Sequence, residues 1–201
     1  MRKGDIDRFF REAAKEIRTP VRIYLTGGIA SWFLGGDRPT EDIDFGLRAS
    51  EGKWMEVEGV IQGVSRKLGI PVQFSEDIGR WGMIGILDYE KGARLYKRFG
   101  KVSVYLLDVG VWSVGKMNRY YQSDVDDLRA VLKKQRPDSG KLVTIWARAL
   151  RESPRSSSSV LFVKTVEDFL KNYGQEIWGS RFNSEETTRK FRQTSPRQVV
   201  G

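Results

Sequence analysis

Two glycines and two aspartates carry the chemistry this chain could perform. Gly27-Gly28 closes the apolar run IYLTGG, and Asp42 and Asp44 stand in a second run, DIDFGL. Backbone amides at a glycine turn that leads into a helix attract phosphate. Carboxylates at i and i+2 on one strand project from the same face. Such a pair repels itself unless a cation sits between the groups. Mg2+ suits oxygen ligands and commonly shares the oxygens of a substrate phosphate. The pattern therefore implies a nucleoside triphosphate held on Mg2+, with Thr26 beside the glycines in reach of a phosphate oxygen.

Gly27-Gly28, a spacer of thirteen residues and Asp42-Ile43-Asp44-Phe45, with Arg38-Pro39-Thr40 just ahead of the acids, resembles the signature of the polymerase-beta-type nucleotidyltransferases. Lys116, Arg119, Asp124 and Asp127, spaced KxxR and then DxxDL, resemble the C-terminal half of the abortive-infection nucleotidyltransferase toxins. The resemblance covers roughly Val21 to Lys134. It implies an α+β nucleotidyltransferase fold, a small mixed sheet flanked by helices with a C-terminal helical extension. It also implies two Mg2+ ions on Asp42 and Asp44, with Gly27, Gly28 and Lys116 on the phosphates. The implied reaction passes a nucleoside monophosphate from an NTP to a hydroxyl of RNA, at the 3′ end of a tRNA, and a cognate antitoxin is an implied partner. Relatives in this superfamily often carry a third carboxylate on a later strand. Here the obvious position is Gln73, and Asp77 has the parity to replace it. Asp124 or Asp127 matches the acid of the later helix.

Composition narrows the chemistry further. The chain of 201 residues has no cysteine and no histidine. Disulfides, thiolate zinc sites and histidine-based catalysis are therefore excluded, and any metal must be held by oxygen. The proton of an attacking hydroxyl would fall to Asp77, Asp124 or Asp127 if a side chain takes it. A formal net charge of +9 around an acidic motif points to a polyanionic partner, and nucleic acid is the natural one. No apolar run is long enough to span a bilayer and the N-terminus lacks the apolar core of a signal peptide, so the expected location is cytoplasmic, with no membrane partner.

The elements that must position these residues follow from periodicity. Helical spacing predicts helices over Asp5–Arg18, Ile29–Leu34, Ser50–Leu68, Asp108–Met117, from Gln122 with Ser123 as its N-cap, Leu142–Leu150 and Val160–Tyr173. Alternation predicts strands at Val21–Leu25, Asp42–Leu47, Val72–Phe74 and Val102–Leu106. Arg80–Leu87 reads as strand or turn. Tyr89–Lys101 mixes basic and aromatic residues, which suits a phosphate backbone and a stacked base, or else an amphipathic helix with solvated charges. The expected domains are 1–136 as the nucleotidyltransferase domain, 137–180 as a helical segment packed on it after a flexible serine-rich joint at 153–159, and 181–201 as a mobile basic tail.

Two other readings fit the same residues. With no acid at Gln73, the site could be degenerate and the protein a module that binds nucleic acid or a partner. Alternatively, an antitoxin-like enzyme would adenylylate a protein.

Overall fold

The computed structural model describes Met1 and residues 3–195. Among these are eight α-helices and five strands in an α+β arrangement. The chain runs α1 (Lys3–Glu16), β1 (Val21–Leu25), α2 (Gly27–Leu34), β2 (Ile43–Arg48), α3 (Trp54–Leu68), β3 (Val72–Ser75), a 3-10 turn (Ile78–Arg80), β4 (Arg94–Phe99) and β5 (Val102–Leu106). It continues through α4 (Val109–Arg119), α5 (Gln122–Gln135), α6 (Ser139–Glu152), α7 (Ser157–Trp178) and α8 (Ser184–Thr194). No helix among the described residues is long and apolar enough to cross a membrane.

The chain divides into two compact units. The first comprises Met1–Phe33, Arg38–Ile78 and Glu90–Asp108 and contains the whole sheet. Strand order is β3-β2-β1-β5-β4. β1 runs antiparallel to β2 and parallel to β5, β2 runs parallel to β3, and β4 closes the far edge antiparallel to β5. Alternation decides which face is covered. Ile23, Leu25, Ile43, Phe45, Leu47, Val102 and Val104 are all buried. On that side Phe10 of α1 reaches both Phe45 and Phe99, at ring-centroid distances of 5.8 and 6.4 Å. Trp54 of α3 reaches Phe74, which stacks on Phe45 at 5.1 Å. α1 and α3 thus bury their apolar stripes on one face of the sheet, which is what holds β1 and β2 in register.

The segment Arg94–Phe99 is strand β4, which corrects the expectation of an amphipathic helix there. Phe99 pairs with Val102 across a two-residue turn led by Gly100 at φ 55°. Glycine at the first turn position supplies the backbone a tight hairpin needs. Tyr96 forms a bulge, because the register slips between Leu95 and Lys97. The bulge puts Tyr96 and Lys97 together on Asp7 of α1, at 2.8 and 2.6 Å. The cations of this run are therefore partly committed inside the unit, although Arg94 and Arg98 remain exposed.

The second unit comprises Leu34–Asp37, Gly79–Tyr89 and the chain from Val109 onward, and it is helical. Its core is aromatic. Trp112, Trp146, Phe162 and Phe169 are almost wholly buried, and the indole of Trp146 donates to Ser113 Oγ at 2.8 Å. Residues 81–89 form turns rather than a strand, pinned where Gly85 N donates to Ser153 Oγ at 2.9 Å and Asp88 pairs with Arg148 at 2.7 Å. The expected joint at 153–159 is structured as well. Ser153 and Ser159 are buried, and Ser156 caps α7 by accepting from Ser159 N. Of the tail expected to be mobile, Ser184–Thr194 form α8, with Phe191 fully buried and Arg192 bound to Glu167 through both carboxylate oxygens. The remainder, 196–201, lies outside the described residues.

Candidate active site

The glycine turn and the acidic strand meet because β1 and β2 are antiparallel neighbours. Leu25 pairs with Phe45, and just beyond it Thr26 N donates to Asp44 O at 2.9 Å. Helix α2 starts at Gly27 directly after β1, and Ala30 N donates to Thr26 O at 3.1 Å to close its first turn. The thirteen-residue spacer is the helix plus the loop that brings the chain back beside its own start.

Gly27 has φ 59°, a left-handed conformation. A Cβ built there would lie 1.8 Å from Asp44 Oδ2 and 2.7 Å from its Cγ. The Asp44 carboxylate therefore lies directly over the glycine backbone, in space that only glycine leaves open. At Gly28 an added Cβ would meet Thr40 Oγ1 at 3.0 Å and the Arg38 guanidinium at 3.6 Å. Thr40 is buried, and its hydroxyl lies 3.1 Å from Asp42 Oδ1 and 3.2 Å from Asp42 O. Asp42, one residue ahead of β2, and Asp44 are both partly exposed, and Asp44 lies on the strand face opposite buried Ile43 and Phe45. Gly27, Gly28, Thr26, Thr40, Asp42 and Asp44 thus form one cluster within the sheet unit.

The position on β3 level with Asp44 is not acidic. β3 pairs with β2 in parallel so that Gln73 stands beside Asp44 on the shared face. Asp77 follows the end of β3, next to Ile78, whose side chain covers Gly46. Among the described residues no group of three or more His, Cys, Asp or Glu side chains is placed to hold a metal ion.

Further along the same face a carboxylate organises two arginines. Glu90 accepts from Arg48 Nε at 2.8 Å and from the Tyr24 hydroxyl at 3.1 Å, with Arg22 at 3.6 Å. Burial and the Glu90 charge push the Tyr24 phenol up to about 12. Burial alone would raise Glu90, but the hydrogen bonds from Arg48 and Tyr24 and the two guanidinium charges outweigh it and hold the carboxyl below its usual value.

Lys116, Asp124 and Asp127 belong to the helical unit, where they form an internal network. Lys116 Nζ lies 2.6 Å from Asp127 Oδ2 and 3.1 Å from Asp124 Oδ1, with all three side chains 2–3% exposed. Arg119 adds a bond to Asp124 Oδ1 at 2.8 Å. Asp124 also accepts from Tyr121 N at 3.3 Å. Tyr121, rather than Ser123, is the N-cap of α5, and the acceptor for the end of the helix is the aspartate three residues on. In this arrangement the Lys116 charge is matched by buried carboxylates instead of facing solvent.

Sequence reasoning gave Thr40 and Arg38 no role beyond fitting the motif. The signal that could have found them is their place immediately before Asp42, in the loop that must fold back over Gly28. Compared with protein-family models, curated proteins and solved structures, the chain matches none.

Proposed function

We propose that the protein is a Mg2+-dependent nucleotidyltransferase that passes a nucleoside monophosphate from an NTP to an acceptor hydroxyl, with RNA, at the 3′ end of a tRNA, as the acceptor. The observation that carries the reading is the approach of Asp44 to Gly27, which joins a phosphate-binding turn to a carboxylate pair. The donor set fits the metal. Two hard carboxylates suit an ion that usually takes one or two such ligands and completes its shell with water and phosphate oxygens. Asp42 and Asp44 would hold it, and when bound it would neutralise charge on the triphosphate.

The remaining work falls to the chain itself. Amides at the start of α2 face the phosphates and add the positive end of the helix dipole. The acceptor hydroxyl attacks the α-phosphorus in line. A new P–O bond forms to the acceptor, the bond to pyrophosphate breaks, and the hydroxyl proton is released. Positioning and charge neutralisation supply most of the acceleration in such transfers, so a small site suffices. The net charge of +9 supports a polyanionic acceptor.

One observation favours a second reading. Gln73 occupies the place beside Asp44 where a third acid would stand, as expected of a degenerate, binding-only site. The test is to incubate the protein with each α-labelled nucleotide, Mg2+ and total RNA. Label on RNA that is lost in Asp42→Ala supports transfer to RNA. Label on a protein would identify a protein acceptor, and absence of both labelling and nucleotide binding would leave the binding module.

A further inference from the structure

We propose that Thr40 is a positioning residue for Asp42, fixing the carboxylate through which the metal-bound nucleotide is held. The inference rests on the nucleotidyltransferase reading and adds to it a residue that acts through the acid.

Asp42 needs such a partner because of where it lies. The β2–β3 ladder begins at Ile43, so Asp42 stands one residue ahead of the paired strand. A carboxylate there is free to turn unless a neighbour holds it. Thr40 lies two residues upstream, is 7% exposed, and donates to Asp42 Oδ1 at 3.1 Å. A hydrogen bond to an ionised carboxylate is stronger than a neutral one. It occupies one oxygen and leaves Oδ2 to face a cation.

On its other side Thr40 occupies space that Gly28 leaves open. Its Oγ1 and Cβ lie 3.0 and 3.3 Å from where a Cβ on Gly28 would sit. Threonine is branched at Cβ and stiff about χ1, so fixing that atom fixes the hydroxyl. Gly28 thus leaves room for Thr40, and Thr40 aims at Asp42. Glycine turn and acid are coupled through one side chain, although neither glycine touches Asp42 in this contact. Groups that orient a metal-ligating carboxylate typically change metal affinity or activity 10–100-fold when removed.

The same hydroxyl lies 3.2 Å from Asp42 O, so a purely local turn-forming role is the competing account. The test measures the metal directly. Mn2+ alone is titrated into the full chain, and the free-ion EPR signal reports binding. Wild type should bind Mn2+, and Asp42→Asn should abolish that binding. Thr40→Val, which keeps the shape without the donor, should weaken it about tenfold, and Thr40→Ser should restore it to within about threefold. Should Thr40→Val fail to fold by circular dichroism, Gly28→Ala serves in its place. It presses on Oγ1 from the opposite side at a backbone position that tolerates alanine, and it should weaken binding several-fold. Thr40→Val or Gly28→Ala binding like wild type, with Asp42→Asn binding no Mn2+, overturns the role of Thr40 and leaves the enzymatic reading standing. Equal losses in Thr40→Val and Thr40→Ser also overturn it, since packing would then matter and the hydroxyl would not. Mn2+ binding that is absent, or indifferent to Asp42→Asn, sinks the enzymatic reading and this inference with it.

Discussion

Gly27→Ala should damage the protein by two separable routes. Gly27 sits at φ 59°, where an L-residue carries a strain of about 1–2 kcal/mol. The new methyl would also lie 1.8, 2.7 and 2.8 Å from Oδ2, Cγ and Cβ of Asp44, so that side chain or its strand must move. Forcing extra volume into a packed site costs about 1–3 kcal/mol. The expected loss is therefore about 2–5 kcal/mol, the sum of the two ranges. A double-mutant cycle separates them, because Asp44→Gly deletes all three atoms that clash while the backbone strain persists. In the Asp44→Gly background the alanine should cost only about 1–2 kcal/mol, giving a coupling of about 1–3 kcal/mol. Urea unfolding of the four proteins, analysed where their m-values agree, measures it. A coupling below about 0.5 kcal/mol would mean that Asp44 does not lie over the glycine, and the candidate site would lose its foundation.

Three further outcomes follow from the same physics. Lys116→Met removes the ammonium shared by the buried carboxylates of Asp124 and Asp127 and should cost about 3–5 kcal/mol in urea unfolding, whereas adding Asp127→Leu should recover part of the loss. Glu90 is held below its usual value, so the stability it contributes is present above the unfolded carboxyl value near 4.3 and is lost as pH falls below that; Glu90→Gln should flatten acid unfolding in that window, and it should also move the Tyr24 titration, followed by ultraviolet absorbance, downward from about 12. Phe191→Ala should cost about 3–5 kcal/mol if α8 unfolds with its unit, and faster amide exchange over Ser184–Thr194 would locate the damage.

The parts of the fold that the sequence made legible are those where one period ran without interruption. Val21–Leu25 and Ile43–Leu47 alternate in sequence because the face toward α1 and α3 takes the apolar residues, although Tyr24 and Gly46 on the other face are buried as well. β4 was hidden by its bulge. Tyr96 inserts one residue, which breaks the period of two and groups the charges of Arg94, Lys97 and Arg98 as if on a helix face. The hairpin signal was nonetheless present in Gly100-Lys101 between apolar Phe99 and Val102. α8 was obscured for a different reason. Its single buried anchor, Phe191, is too few apolar residues to make a visible stripe, and its ion pair from Arg192 to Glu167 joins residues on different helices.

The candidate site divides along the same line. Residue types and spacing were enough to pair Gly27 with Asp44, since a thirteen-residue return to an antiparallel neighbour places the end of β1 beside the start of β2. Nothing local could reveal that β3 joins β2 in parallel with Gln73 level with Asp44, because register between distant strands is set by packing of the whole sheet. The same holds for Lys116. Its spacing to Asp124 and Asp127 was visible, but a lysine followed by two acids reads alike whether the ammonium faces a ligand or its own helix neighbours. Burial of all three decides the resting state, since an ammonium out of water persists only with carboxylates at hand. In the sheet unit, by contrast, Asp42 and Asp44 are both partly exposed, and under the proposed reading a cation would offset the two charges.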